Sequence, residues 1–160
     1  MASYCSATLK RLIVIRLHPG EDIIPTISRI FKDINLLNGG IVSMIGGLST
    51  AHIRVTKKDL KTTLKTSYKE PIFIEGPLEL VAGSGIISED EKGNPHIHIH
   101  SVLVDEKENV FGGHLLEEGN VVGVTMEVIV VEVRGVDMFR RYNPKTGFYD
   151  LRFEVGLNHY

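Results

Sequence analysis

The residues of this chain best equipped for chemistry are histidines set at a regular spacing. Four of its seven histidines fall between His96 and His114, three of them in the run Pro95-His96-Ile97-His98-Ile99-His100. On a β-strand a period of two sends these three imidazoles to one face and the isoleucines to the other, into the core. At a rise of about 3.3 Å per residue, alternate Cα atoms stand roughly 6.6 Å apart, close enough for two imidazoles to converge on one cation held at about 2.0–2.1 Å.

The polar run from Asp105 to Asn109 predicts the loop of a hairpin, with Val110-Phe111 opening the return strand. An odd-length loop centred on Lys107 sets His114 opposite His100 on the same face. An even-length loop sends it to the wrong face, unless Gly112-Gly113 forms a bulge that restores the alternation. The pattern points to a three-histidine metal site from His98, His100 and His114, with His96 as a fourth ligand or outer-shell member. The expected occupant is one divalent transition metal per chain, with zinc the natural choice; copper, nickel and iron also accept imidazole. The plainer alternative is a row of polar histidines on a solvent-facing strand. A third imidazole at cross-strand register is what favours the metal.

The elements that must position these residues read as follows. Leu9 to Leu17, rich in β-branched residues, predicts a strand ended by Pro19-Gly20. From Asp22 the apolar positions Ile23, Ile24, Ile27, Ile30, Phe31 and Ile34 recur at helical spacing. Asp22 is placed to cap that helix, Pro25 falls in its first turn, and Asn38-Gly39-Gly40 is expected to stop it. Strands follow at Ile41 to Ile45, at Ala51 to Val55, and at Leu78 to Ser88, where Gly83 and Gly85 suggest a bulge or a close backbone approach. Val121 to Val133 is long and almost wholly apolar, which predicts burial on both faces. Glu127 inside it then needs a partner, either an arginine with backbone amides or the outer shell of the metal site. The tail, with Met138 to Tyr142, a turn at Asn143 to Gly147 and Phe148 to Val155, predicts a final hairpin covering the sheet.

These elements make an α+β fold: a mainly antiparallel sheet with one principal helix packed on a face, in a single domain. The partition is an N-terminal tail at 1–8, the domain at 9–135, and a C-terminal extension or hairpin at 136–160. A chain of 160 residues with 42% apolar and 24% charged residues suits one soluble globular core. Eighteen basic against twenty acidic residues leave a formal charge of −2, which offers no general attraction to nucleic acid or an anionic membrane. The single cysteine, Cys5, excludes an intrachain disulfide, so a reducing cytoplasm is the expected compartment. No targeting or membrane segment is expected.

One local departure from that neutrality is basic. Arg54, Lys57, Lys58, Lys61, Lys65 and Lys69 face a single acid, Asp59. Lys57, Lys58, Lys61 and Lys65 are the nucleic-acid candidates. The alternative is a solvated hairpin whose lysines guard a sheet edge, which fits better because Tyr68 is the only ring among them.

The order of motifs resembles the plant and prokaryote conserved (PPC) domain. The pieces are Gly76-Pro77-Leu78-Glu79-Leu80, Gly83 to Gly85, Pro95 to His100, Asp105, and Gly112-Gly113-His114-Leu115, with weaker likeness at the early helix, Gly39 to Gly47 and Thr125 to Glu127. The resemblance covers most of residues 9–133, makes 9–135 a PPC-like domain of the prokaryotic type, and places the family's histidines at His98, His100 and His114. It implies a homotrimer. The AT-hook of plant members is not matched, since Arg134-Gly135-Val136 lacks the second arginine and the proline, so DNA binding follows by family analogy only.

Three functions compete. The first is a non-enzymatic, metal-binding homotrimeric module in regulation or interaction. The second is a metal-dependent hydrolase or lyase, since three neutral histidines leave zinc a position for water and lower its pKa to about 7. Glu79, Glu127 and Asp105 are the acid or base candidates by type, and Glu79 and Glu127 are also possible ligands or outer-shell groups. The third is DNA binding through the lysine-rich hairpin. A cupin-like site would need glutamate in place of Asp105 and a second histidine motif.

Overall fold

The computed structural model describes residues 3–154. Its strands are β1 (Thr8–Leu17), β2 (Gly39–Arg54), β3 (Thr56–Lys58), β4 (Thr66–Tyr68), β5 (Ile72–Glu89), β6 (Pro95–Asp105), β7 (Val110–Leu115), β8 (Val122–Arg134), β9 (Asp137–Asn143) and β10 (Phe148–Glu154). One helix, α1 (Ile23–Asp33), lies between β1 and β2. The fold is therefore mostly antiparallel sheet with a single short helix. The eight-stranded sheet runs β1-β8-β2-β7-β6-β5-β9-β10, and β2 also pairs β5. The pairings β2–β5, β5–β6, β6–β7 and β7–β2 thus close a ring. Among the described residues only β9 enters in parallel, through Glu89 beside Phe139.

The helix forms where its apolar spacing predicts, burying Ile23, Ile24, Ile27 and Phe31. These join Ile97, Ile99 and Leu103 of β6 in one core. Each such side chain removed from water contributes roughly 1.5–3 kcal/mol. The helix thereby takes the odd-numbered face of β6 and leaves the even-numbered, histidine-bearing face free.

Several local expectations are corrected. Asp22 stands at the N-cap position, but its side chain makes no cap bond. Its carboxylate instead accepts from the backbone N–H of Gly119 at 2.6 Å and of Asn120 at 3.3 Å, pinning the loop before β8. The helix ends at Asp33, and the left-handed residue after it is Asn35 (φ 52°), so Gly39 and Gly40 are free to open β2. The two short strands expected around Gly46-Gly47 are one strand. A Cβ at Gly46 would stand 2.2 Å from the Thr125 carbonyl oxygen, so glycine there permits close approach to β8 rather than breaking the strand. Gly85 plays the same part toward β6, since a Cβ there would stand 2.3 Å from the His98 carbonyl oxygen.

β8 is not buried on both faces. Its alternate residues Met126, Val128 and Val130 are fully buried, while between them Glu127 is exposed and Ile129 and Val131 are only half-buried. Only one side of this strand is covered within the chain, so Glu127 is exposed and accepts a hydrogen bond from Thr125 Oγ1 at 2.7 Å. The buried acid of β8 is Glu132, which pairs with Lys10 at 2.9 Å and with Arg11. The tail folds as the β9–β10 hairpin, with Phe148 opposite Asn143. Residues 155–160 of the expected extension, and 1–2 of the expected N-terminal tail, lie outside the described residues.

Candidate metal centre and its pocket

The geometry of the site begins in the β6–β7 loop. Its register runs from Val104 opposite Val110 to His100 opposite His114, so the loop is odd and centred on Lys107, with no bulge at Gly112-Gly113. Asp105 sets that register. Its Oδ1 accepts from the backbone N–H of Lys107 (2.9 Å) and of Asn109 (2.8 Å), and its Oδ2 accepts from Asn109 Nδ2 (2.9 Å). These bonds, with Glu108 in the left-handed region (φ 64°), build the turn. They also hold Asp105's carboxylate below its ordinary pKa, with the Asn109 side chain the largest cause.

His98, His100 and His114 then come together. Their ring centroids lie 4.9, 4.7 and 5.6 Å apart for the pairs 98–100, 98–114 and 100–114. One ligand nitrogen from each lies within 4.8 Å of the others. Ligands about 2.05 Å from a tetrahedral ion stand roughly 3.4 Å apart, so the three could hold a metal after small side-chain rotations. Two further observations fit a metal. His114 Nδ1 is buried without a hydrogen-bond partner. The rings of His98 and His114 also favour the neutral form that ligation requires. Burial first, then the Arg140 charge, pushes His98 down to about 3; burial first, then the His100 charge, pushes His114 down to about 4.

The other site candidates fall elsewhere. His96 does not join the three; it lies on the same face, its Nδ1 buried and unpartnered, with burial and then Arg140 lowering its pKa. Glu79 is exposed and sits opposite Val104, whereas His100 is opposite Ser84. That places Glu79 roughly 16 Å along β5 from the cluster. Glu127 lies on β8, which does not neighbour β6. Lys57 and Lys58 lie on the two-stranded β3–β4 ribbon, with Lys61 and Lys65 in its turn, and all four are exposed.

A pocket of about 820 Å³ opens onto His98 and His114. Its walls hold residues that the sequence did not mark for this site. Arg54 of β2 is directly opposite His114 in the ladder, and its guanidinium carbon lies 4.0 Å from the Tyr68 ring centroid. Arg140 of β9 donates from Nη1 to the Tyr149 carbonyl at 3.0 Å. Arg54 reads in the sequence as part of the lysine run, and Arg140 as part of the tail. The β2–β7 ladder and the parallel β5–β9 contact bring them here, and neither leaves a local signal.

Known proteins match in the same terms. A metal-containing protein from Archaeoglobus fulgidus is 25% identical, with a TM-score of 0.78 over 92% of this chain and 97% of that one. A plant- and prokaryote-conserved (PPC) protein from Pyrococcus horikoshii is 27% identical, with a TM-score of 0.77 over 98% of this chain and 100% of that one. The bifunctional protein GlmU of Synechococcus sp. (strain JA-3-3Ab) is 26% identical over 144 residues, which are 90% of this chain and 21% of that protein. This chain thus spans about a fifth of the length of the curated relatives it matches. The sequence pattern of the Plants and Prokaryotes Conserved (PCC) domain matches residues 4–134, and the chain belongs to that family.

Proposed function

We propose that this chain is a zinc-binding, homotrimeric module of regulation or interaction, with His98, His100 and His114 as the metal ligands. The observation that carries the reading is the approach of three ligand nitrogens within 4.8 Å of one another on a hairpin of fixed register. A bound zinc ion would supply a Lewis acid with a position left for an outside ligand. The likeness to a metal-containing archaeal protein supports the metal, and the cluster's own chemistry supports zinc. Elemental analysis of purified protein tests this. One zinc per chain is expected in the wild type, with loss in His98→Ala and His114→Ala; equal metal content in all three proteins would refute the site.

Trimer formation is supported by apolar residues on the uncovered side of the sheet. Val42, Ile45, Val81 and Val102 are between 39% and 54% exposed and line one shallow surface beside His100. Contiguous exposed apolar surface of this kind marks an association site.

A hydrolase or lyase is the second reading, favoured by the pocket that opens on the cluster. None of Glu79, Glu127 and Asp105 lines that pocket, so the acid or base expected by type is not where the chemistry would be. Esterase, phosphatase and hydratase assays on zinc-loaded protein against His98→Ala decide it. DNA binding would rest on the exposed lysine ribbon, and a salt titration against duplex DNA tests it, since phosphate contacts weaken steeply with salt. Among the described residues no helix is long and apolar enough to cross a membrane. A cytoplasmic location belongs to the same proposal, resting on the lone Cys5.

A further inference from the structure

The β9–β10 hairpin lies beyond the residues matched by the family pattern, yet it supplies one wall of the pocket over the histidines. It contributes Arg140, Phe148 and Tyr149, facing Arg54 and Tyr68 across the space. These groups are assembled rather than scattered. Arg54 stacks on Tyr68, and Tyr68 packs on Phe148 with ring centroids 4.9 Å apart.

Charge is unbalanced in this pocket. Both guanidiniums are half-buried, and among the described residues neither has a carboxylate within ion-pair distance. Asp150, whose charge reaches Arg140, is itself engaged by Asn143 Nδ2 at 2.6 Å. The Nε atoms of Arg54 and Arg140 are buried without an acceptor. Opposite them stand His98 and His114 with no carboxylate beside them, so nothing on the inner wall offsets two positive charges. Glu117 and Glu118 also line the pocket, but both are exposed, where water screens them. Half-buried guanidiniums without a carboxylate partner are costly unless an anion completes them, and arginine's planar fork matches an oxyanion with two parallel hydrogen bonds. A volume of about 820 Å³ with aromatic walls exceeds what an inorganic ion fills.

We propose that the pocket between the histidine cluster and the β9–β10 hairpin binds a small organic oxyanion, a carboxylate or a phosphate monoester, gripped by Arg54 and Arg140 with its apolar part against Tyr68 and Phe148. This deepens the reading of the histidine cluster as a functional centre, and makes the proposed module one that responds to a small anionic ligand.

The test is calorimetric and NMR titration of the full chain with benzoate, phenyl phosphate and inorganic phosphate, and with uncharged benzamide as the control. It is run on zinc-loaded and on chelator-treated protein. Benzoate or phenyl phosphate is expected to bind and to shift amide signals of β6, β7 and β9, while benzamide does not. The two oxyanions separate the carboxylate from the phosphate case. Arg140→Gln and Arg54→Gln are each expected to weaken binding about tenfold or more, with Arg140→Lys intermediate, and with folding and zinc content unchanged. No binding of either aromatic oxyanion up to roughly 10 mM would overturn the proposal. So would equal binding by the wild type and the double glutamine variant. Zinc-loaded wild type that shows no arginine-dependent binding refutes the oxyanion pocket alone, whereas wild type that binds the oxyanion through its arginines but takes up no zinc refutes the metal reading alone.

Discussion

Acid should destabilise the metal-free protein through His98 in a way that an asparagine at the same position does not. Burial and the neighbouring Arg140 charge lower this imidazole from 6.5 to about 3 in the folded chain. At pH 7 the ring is neutral in the folded state and mostly neutral in the unfolded state, so it contributes little pH dependence there. As pH falls through 6.5 the unfolded chain takes up a proton that the folded chain refuses, so stability is lost progressively down to about 3 and no further. For an isolated, fully buried group that displacement corresponds to about 5 kcal/mol. His98 is only partly buried, and water screening reduces the expected loss to about 2 kcal/mol. In a domain of this size that is a fall in Tm of roughly 4–8 °C between pH 7 and pH 4. The assay is urea and thermal unfolding of wild type and His98→Asn with chelator present, since a bound metal would compete with the proton. The wild type should lose about 2 kcal/mol more than the variant over that interval. The reasoning fails if the two proteins show the same pH slope, or if NMR places the His98 titration near 6.5.

Further perturbations probe the scaffold around the site. Gly85→Ala would set a methyl group 2.3 Å from the His98 carbonyl oxygen, so the β5–β6 ladder must shift. A loss of about 1–3 kcal/mol and a weaker zinc affinity are expected, measured by urea unfolding and by competition with a chromophoric chelator. Glu132→Gln removes the buried anion that Lys10 and Arg11 share and should cost about 1–3 kcal/mol, with zinc content unchanged. Val42→Glu with Val102→Glu places charge on the uncovered apolar surface. Light scattering should then find the 17.8 kDa monomer where the wild type gives three times that mass, and an unchanged wild-type mass in the variant would refute that surface as the trimer contact.

Much of the centre is written in local sequence. Alternation of His96, His98 and His100 with Ile97 and Ile99 fixes which side of β6 the imidazoles share, because strand periodicity is a property of the backbone and the buried isoleucines admit only one orientation. The spacing of Ile23, Ile27 and Phe31 likewise dictates a helix whatever it packs against. Loop parity was open in the sequence and was decided by side-chain bonds from Asp105, a short-range effect that residue types alone do not resolve. Other features belong to the tertiary structure altogether. Glu127 looked buried inside an apolar strand because apolar composition does not say how many faces are covered; the sheet leaves it in water and buries Glu132 instead. The two arginines reach the pocket from positions 54 and 140, one across a ladder to His114 and one through a parallel contact after Glu89. Periodicity governs what a segment presents to its surroundings, whereas long-range strand pairing decides which segments meet, and the positive charge in this pocket comes from such a meeting.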